Sequence, residues 1–318
     1  MKDLNIAVLI PCYNEERTIE KVINDFKTAL PMAKIYVYNN NSTDNTEEIV
    51  KNSKDVILRH EYNQGKGNVI RRMFREVDAD IYVLVDGDDT YPADEVYKLI
   101  NPIIDKQADM VVGDRLSNGR YKVENKRKFH KFGNDIVKNS INFLFNTKLN
   151  DIMSGYRAFN KLFVKNIPIL SSNFELETEI TLFALDKKFL IKEISILYRD
   201  RPIGSFSKLN TFKDGIKVVK TIIKMYKDYK PRRFFGIISL VLAILGIIIG
   251  IPVITEFIKN SYILKIPSAI LATGLILLSS ISLQCALILD TIVKVNKEKY
   301  ELNLLQNYER GKINEKNC

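Results

Sequence analysis

Two long apolar segments near the C-terminus restrict what this chain can fold into. Residues 234–254 and residues 266–289 contain no charged side chain. Each segment reaches the roughly 20 apolar residues that a helix needs to cross a bilayer. Only residues 255–265 separate them, so the sequence predicts a transmembrane hairpin over residues 234–289. Two helices buried in a soluble core are the alternative, which the near absence of polar positions disfavours.

Basic residues flank both apolar segments. Five of the ten residues 224–233 are lysine or arginine, and Lys294, Lys297 and Lys299 follow the second segment. Because positive charge accumulates on the cytoplasmic side of membrane proteins, both chain ends are predicted in the cytoplasm. The chain would be a multi-pass protein of the inner membrane, with residues 290–318 as a cytoplasmic tail.

Residues 211–233 precede the hairpin and have an amphipathic pattern. Phe212, Ile216, Val219 and Ile223 recur at helical spacing with lysines between them. This pattern is typical of a juxtamembrane helix that lies in the membrane surface.

The N-terminal part, residues 1–210, alternates between strand and helix patterns, which predicts an α/β domain. Its apolar runs predict strands over residues 6–10, 34–38, 56–58, 81–85, 109–112 and 189–198. Helical spacing of apolar residues fills intervals such as residues 17–30, 65–76, 132–145 and 174–180. Such a rhythm indicates a parallel-type sheet covered on both faces, with binding groups at the carboxyl ends of its strands.

An abrupt acidic turn follows the apolar run at residues 81–85. It reads Asp86-Gly87-Asp88, and a single glycine between the two acids lets their side chains converge. Two close carboxylates repel unless a cation lies between them, and Mg²⁺ or Mn²⁺ holding a diphosphate suits such a site. An ordinary acidic β-turn is the alternative reading.

Composition narrows the class of partner. The chain has 48 lysines and arginines against 38 acids, a net charge of +10. This excess of positive charge could bind nucleic acid, an anionic membrane or phosphorylated substrates. Much of it lies beside the apolar segments without interleaved exposed aromatics, which argues against nucleic-acid binding. The three cysteines and two histidines show no metal-ligand spacing, and the polar start of the chain predicts no signal peptide.

Further polar clusters are candidate anion sites. Gly65-Lys66-Gly67 lacks the spacing of an ATPase phosphate loop, but its lysine could contact a phosphate, with plain turn chemistry as the alternative. Arg199, Arg201 and Lys208 could clamp an anion or form a solvated basic loop.

The order of these motifs resembles family 2 glycosyltransferases with the GT-A fold. The motifs that carry the resemblance are Pro11-Cys12-Tyr13-Asn14-Glu15, the turn at residues 40–44, Gly65-Lys66-Gly67, Asp86-Gly87-Asp88, Gly113-Asp114-Arg115 and Ser154-Gly155-Tyr156-Arg157. With the terminal hairpin, the chain most resembles polyprenyl-phosphate glycosyltransferases such as dolichyl-phosphate mannose synthase. This resemblance implies a Rossmann-like mixed, mainly parallel sheet.

The resemblance also implies roles for individual residues. Nucleotide-sugar binding would fall to Pro11, Tyr13, Glu15, Asn40, Lys66, Asp86 and Gly87. The metal ligands would be Asp86 and Asp88. Acceptor or diphosphate binding would involve Arg115, Arg127, Arg201, Ser205 and Lys208. Catalytic roles would fall to Asp151, Arg157 and Glu177. Two positions depart from the family pattern: Asn39 stands where an acid is common, and Thr90 stands where some of these enzymes use a glutamine on the metal.

The activity implied is metal-dependent transfer of a hexose, with inversion, from a UDP- or GDP-hexose to undecaprenyl or dolichyl phosphate at the cytoplasmic membrane face. A homo-oligomer is compatible with this activity. A processive polysaccharide synthase is the first alternative, but such enzymes carry a Gln-x-x-Arg-Trp motif and this chain has no tryptophan. A non-catalytic membrane scaffold is the second alternative, and the intact Asp86, Asp88 and Arg157 argue against it.

Overall fold

The computed structural model describes residues 4–117, 128–172, 175–199, 220 and 223–316, without the side chains of residues 128–134 and 307–316. The chain divides into two compact units, Met1–Val218 and Val219–Cys318.

A seven-stranded sheet forms the centre of the first unit. The strands lie in the order β3-β2-β1-β4-β6-β5-β7. They are β1 (Ile6–Cys12), β2 (Lys34–Asn39), β3 (Val56–His60), β4 (Ile81–Leu84), β5 (Met110–Asp114), β6 (Arg157–Asn160) and β7 (Ile191–Ser195). All neighbouring pairs are parallel except those that involve β6, which is antiparallel to both β4 and β5. The mixed, mainly parallel sheet implied by the family resemblance is therefore confirmed.

Helices connect these strands. They are α1 (Ile19–Ala29), α2 (Thr46–Asn52), α3 (Lys66–Glu76), α4 (Val96–Ile104), α5 (Lys128–Phe145), α6 (Lys161–Asn166) and α7 (Leu176–Asp186), with a short 3₁₀ turn at Ala93–Glu95. Every residue of β4 is buried, as expected for a strand covered on both faces. Helix α1 buries Ile19, Val22, Ile23 and Phe26, the apolar stripe that its sequence predicts.

Strand β6 is the element that sequence reasoning missed. Its first residue, Arg157, belongs to a segment that we interpreted as a polar cluster, yet the strand pairs with β4 through Leu84 and Arg157. In an antiparallel pair, a step forward along one strand matches a step backward along the other. Two steps beyond the Leu84–Arg157 pair, Asp86 therefore comes next to Gly155. The insertion of β6 therefore brings the 151–156 loop beside the acidic turn.

The second unit consists mainly of two long helices, α8 (Pro231–Asn260) and α9 (Ile266–Lys316). Both are long and apolar enough to cross a membrane, with mean hydropathies of 3.0 and 2.0 in their most apolar windows. Most of their aliphatic side chains are exposed, for example Ile248 and Ile270 at 60% and 69%. Helices in a soluble core would bury these groups, so the exposure indicates membrane association.

Both helices extend beyond the predicted spans. Helix α9 continues through most of the predicted tail at residues 290–318. Of the predicted juxtamembrane helix at residues 211–233, the structure describes a helical part at residues 223–229.

A seam of small residues joins α8 to α9. Ser239 and Ser279 exchange hydrogen bonds, each hydroxyl donating to the other's backbone carbonyl at 2.9 and 2.8 Å. A Cβ added at Gly246 would lie 2.9 Å from Ile276 Cδ1, so a larger residue would force the Ile276 side chain to shift. The buried seam residues repeat at intervals of seven, namely Ser239, Gly246 and Val253 on α8 and Ala272, Ser279 and Ala286 on α9. Close packing at small residues is typical of membrane helix pairs.

Gly67 provides a test of the packing between α3 and the segment before α7. Its backbone N–H donates to Ser172 O at 3.0 Å, and an added Cβ would lie 2.1 Å from Ser171 O. We expect Gly67→Ala to lower the free energy of unfolding by about 1–3 kcal/mol, because a backbone atom must move. Thermal unfolding followed by tyrosine fluorescence measures this, since the chain has 15 tyrosines and no tryptophan.

The matched control is Gly87→Ala, whose added Cβ would meet its nearest neighbours at 3.5–3.6 Å, an ordinary contact. Equal unfolding temperatures for the two variants would contradict the packing described here.

Candidate active site

The candidate site lies where β1, β4 and β5 end and β6 begins. The acidic turn follows β4, and the Gly113-Asp114-Arg115 motif closes β5. The 151–156 loop enters the same edge ahead of β6. Parallel strands direct their carboxyl ends to one side of a sheet, which is where ligands bind in open α/β folds.

Lys66 connects two carboxylates in this region. Its Nζ lies 2.6 Å from Asp86 Oδ1 and 2.8 Å from Glu177 Oε1. Lys66 begins α3 directly after Gly65, whose φ of 127° few other residues adopt. The Lys66, Asp86 and Glu177 side chains are 16%, 27% and 9% exposed, so this ion-pair cluster is half-buried.

The charge state of Lys66 follows from its partners. Burial lowers the pKa of Lys66, whereas the negative charges of Asp86 and Glu177 raise it. The second effect is the larger, so the pKa of Lys66 lies above its ordinary value. Lys66 is therefore a permanent cation at neutral pH.

Gly155 allows the 151–156 loop to approach Asp86. A Cβ at this position would lie 2.5 Å from Asp86 Oδ2 and 3.3 Å from Lys66 Nζ. The absence of a side chain at residue 155 thus gives Asp86 its place in the cluster.

Asp88 lies deeper in the acidic turn and is 4% exposed. Its Oδ1 accepts hydrogen bonds from Thr90 Oγ1 at 2.6 Å and from Thr90 N at 3.2 Å. Thr90, one of the two departures from the family pattern, therefore fixes the orientation of Asp88.

The donor set suits a hard divalent ion. Asp86 and Asp88 offer carboxylate oxygens, whereas the described residues contain no group of three or more histidine, cysteine or acidic side chains that could hold a metal. Mg²⁺ commonly binds one or two carboxylates and takes its remaining ligands from phosphates and water. These two acids fit an ion that binds together with a diphosphate, and they do not fit a closed zinc site.

Asp151 and Arg115 form a bidentate ion pair. Arg115 Nε lies 2.7 Å from Asp151 Oδ2, and Arg115 Nη2 lies 2.8 Å from Asp151 Oδ1. The backbone N–H of Arg115 also donates to Asp151 Oδ2 at 3.0 Å. Glu193 on β7 accepts the backbone N–H of Asp151 at 2.8 Å, and burial raises the pKa of Glu193. Both Asp151 oxygens are thus engaged in orienting Arg115.

Tyr91 links Arg115 to the backbone of the 151–156 loop, and sequence reasoning gave it no role. Its hydroxyl accepts hydrogen bonds from Gly155 N at 3.0 Å and from Arg115 Nη1 at 3.3 Å. Burial raises the pKa of Tyr91, so the phenol remains neutral. The sequence signal that could have indicated a role for Tyr91 is its place three residues after Asp88 of the acidic turn.

The family model for glycosyl transferase family 2 matches residues 7–167, about half of the chain. This chain belongs to glycosyl transferase family 2. Glycosyltransferase AglJ of Haloferax volcanii is 26% identical over 92% of this chain and 95% of its own length. A dolichyl-phosphate hexose transferase of the same organism is 28% identical over 72% of this chain and 96% of its own length.

A solved structure shares the fold. Glucosyl-3-phosphoglycerate synthase from Mycobacterium tuberculosis, in complex with Mn²⁺, UDP and glucosyl-3-phosphoglycerate, matches with a TM-score of 0.55 at 18% identity. The match covers 71% of this chain and 80% of that chain. The GT-A fold implied by the motif order is confirmed.

The N-terminal motif of this glycosyltransferase meets the turn after β2. Asn14 has a φ of 55°, its N–H donates to Ser42 Oγ at 3.0 Å, and its Oδ1 accepts the Thr43 N–H at 2.7 Å. The predicted nucleoside contacts Pro11, Tyr13 and Glu15 are half-buried here.

Asn40 shapes the loop that leads to Lys66. Its Nδ2 donates to Glu61 O at 2.8 Å and Asn63 O at 2.9 Å, and its Oδ1 accepts the Gly65 N–H at 2.7 Å. The described contacts of the Asn40 amide are therefore with this loop.

Gly87 accepts a hydrogen bond at its carbonyl from Thr18 Oγ1 at 2.7 Å, which ties the acidic turn to the start of α1. Lys21 and Arg199, which sequence reasoning did not assign to the turn, contact Asp89 Oδ1 at 2.8 and 3.4 Å. The turn is thus held from both sides.

Arg157 lies below the 151–156 loop. It is fully buried and donates to Ile152 O at 2.6 Å, Ser154 O at 2.9 Å and Glu177 O at 3.1 Å. Burial lowers the pKa of Arg157 to about 10. These contacts fix the loop to α7, and the catalytic role of Arg157 stays a prediction.

The remaining predicted phosphate ligands lie outside the described residues. They are Arg127, Arg201, Ser205 and Lys208.

Gly155→Ala tests the close approach at Asp86. The new methyl group must displace the Asp86 carboxylate, so we expect transferase activity to fall about 100-fold, the loss that a displacement of about 1 Å can cause. The unfolding temperature should change little, because the contacted atom is the end of a side chain.

Activity of purified full-length enzyme in detergent is the measurement. Gly274→Ala, where an added Cβ meets nothing within 4 Å, is the control. Full activity of Gly155→Ala would show that Asp86 need not occupy this position.

Proposed function

We propose that this family 2 glycosyltransferase transfers a hexose from a nucleoside diphosphate sugar to a polyprenyl phosphate, with inversion at the anomeric carbon. One observation carries the proposal. The acidic turn and the Arg115–Asp151 ion pair meet at a single edge of the sheet. The Tyr91 hydroxyl binds Arg115 and the backbone N–H of Gly155, and Gly155 packs so closely against Asp86 that an added Cβ would lie 2.5 Å from its Oδ2. Two groups of phosphate oxygens can therefore be held close together, one through a cation and one through a guanidinium. The name of the dolichyl-phosphate hexose transferase relative supports a lipid phosphate as acceptor.

Asp86 and Asp88 would hold Mg²⁺ or Mn²⁺. When bound, this ion would neutralise the diphosphate of the departing nucleotide. The fold neighbour's complex with Mn²⁺ and UDP supports this assignment.

Arg115 would bind the acceptor phosphate. A phosphate oxygen is already anionic near neutral pH, so it can attack the anomeric carbon without a strong general base. The bond from that oxygen to the carbon forms as the bond from the carbon to the donor diphosphate breaks, and the nucleoside diphosphate leaves. One such displacement inverts the anomeric configuration.

Asp151 would act in this reaction as a positioning residue. Its two oxygens orient the guanidinium of Arg115, and Glu193 holds its backbone. Alignment and electrostatic stabilisation are the contributions that such a displacement needs from the protein.

The nucleoside would lie against Pro11, Tyr13, Glu15 and Asn40, and the donor would be a UDP- or GDP-hexose. Arg127, Arg201, Ser205 and Lys208 remain our predicted further ligands of the donor or acceptor phosphates.

The helices α8 and α9 would form a transmembrane hairpin with residues 1–210 and the C-terminal tail in the cytoplasm. Their uncharged segments and the basic residues that flank them support this topology.

The deciding experiment supplies full-length enzyme with Mn²⁺, a panel of UDP- and GDP-hexoses and a short polyprenyl phosphate. We expect one donor to give a polyprenyl phosphohexose, identified by mass spectrometry. The unphosphorylated polyprenol should not be a substrate, because Arg115 then has no anion to bind. Transfer to the polyprenol would contradict the proposal.

In the same assay, Asp88→Ala should lower transfer more than about 100-fold, because the buried ligand to the metal is lost. Asp78→Asn is the control, since the Asp78 side chain is 67% exposed and pairs with Lys161. A fully active Asp88→Ala enzyme would refute the metal assignment.

Arg115→Gln and Asp151→Asn test the division of roles at the acceptor. We expect each variant to raise the KM for the polyprenyl phosphate by about 10–100-fold, because a desolvated charge pair is broken. The KM for the donor should change little.

The double variant should be no worse than Arg115→Gln, because Asp151 acts through Arg115. A selective loss of kcat in Asp151→Asn, with an unchanged KM for the polyprenyl phosphate, would instead identify Asp151 as a general base.

A further inference from the structure

The ammonium of Lys66 lies against the Asp86 carboxylate, one of the two groups that would hold the proposed divalent ion. Its hydrogen bond to Asp86 Oδ1 is short at 2.6 Å, and Gly155 closes the opposite side of that carboxylate. A metal ion bound to the same carboxylate would stand a few ångströms from the ammonium. In a half-buried site such like charges repel strongly.

Glu177 supplies a second place for the ammonium. It projects from the first turn of α7 and contacts Lys66 Nζ at 2.8 Å. Its side chain is only 9% exposed, so the Lys66 side chain can turn away from Asp86 and still keep a buried counter-ion. Asp86 is the more exposed of the two carboxylates, at 27%.

We propose that Lys66 is an internal counter-ion that holds Asp86 until the metal and the nucleoside diphosphate arrive together, and that Glu177 retains the ammonium after this exchange. The inference rests on the proposed metal site at Asp86 and Asp88. A metal ion that binds alone must displace the Lys66 ammonium from Asp86, and it brings no anion that could replace this contact. A metal ion with a diphosphate displaces Lys66 but brings anionic oxygens that can accept it.

Binding of the ion and of the nucleotide are then coupled through one side chain. Each ligand increases the affinity for the other, by the reciprocity that applies to any pair of linked sites. The enzyme thereby avoids occupation of its metal site by free ions when no donor is present.

Mn²⁺ binding to the full-length protein in detergent tests this, with the free ion followed by electron paramagnetic resonance in the presence and absence of UDP. For the wild type we expect weak binding of Mn²⁺ alone and binding about tenfold tighter with UDP, within the usual range of coupling between sites. In Lys66→Met, Mn²⁺ alone should bind about tenfold more tightly than in the wild type, and the effect of UDP should shrink accordingly.

Lys21→Met is the matched control. Like Lys66→Met, it removes one positive charge close to the acidic turn, because Lys21 contacts Asp89, the residue directly after that turn, and also Asp25. Lys21 is 51% exposed, so we expect a change of less than about twofold. An equal change in both lysine variants would overturn the inference, because general charge would then explain the effect.

Glu177→Gln gives an independent measurement if Lys66→Met does not fold. It leaves the ammonium to Asp86 alone, so Mn²⁺ without UDP should bind more weakly than in the wild type. Unchanged affinity in Glu177→Gln would overturn the inference while the proposed metal site stands. Failure of the wild type to bind Mn²⁺ even with UDP would overturn both.

Discussion

Compensation of buried charge is the constraint on which the candidate site depends. Asp86, Asp88, Asp151 and Glu177 are all brought to one region, and each is less than one-third exposed. Removing carboxylates from water costs free energy unless cations or hydrogen-bond donors compensate them. Lys66, Arg115 and the Thr90 hydroxyl meet this requirement. In the proposed reaction, the same groups that compensate these carboxylates would have to rearrange when phosphates bind.

The two halves of the site are physically connected. The Tyr91 hydroxyl contacts both the backbone at Gly155 and the guanidinium of Arg115. Arg157 binds two carbonyl oxygens of the same loop, those of Ile152 and Ser154, and ties them to Glu177 O on α7. A shift of the loop would consequently displace Asp86 on one side and Arg115 on the other. In the proposed reaction this would couple the donor and acceptor groups, as an in-line displacement requires.

Local sequence patterns predicted much of the scaffold and only part of the site. The apolar runs of β1 and β4, the stripe on α1 and the two C-terminal helices follow from residue periodicity alone. Strand β6 was missed because an arginine at its start reads as a polar loop. The burial of Arg157 depends on carbonyl groups that the apolar pattern does not record, those of Ile152 in the preceding loop and of Glu177 on α7.

The contacts of the site span distances that no local pattern records. Lys66 and Glu177 are 111 residues apart, and Arg115 and Asp151 are 36 apart. The register of β6 brings them together. Motif order could therefore indicate which residues gather at the sheet edge, but not which of them pair with one another.

The position of β6 also matters while the polypeptide is being synthesised. Strands β1 to β4 can pair as soon as they emerge, since β4 needs only β1 on that side. The other side of β4 stays open until residues 157–160 leave the ribosome, and β5 waits for the same segment. An unpaired central strand is prone to adhere to other chains. The nascent enzyme thus passes through an interval of exposure to aggregation, which ends when one four-residue strand is inserted and the catalytic edge is completed.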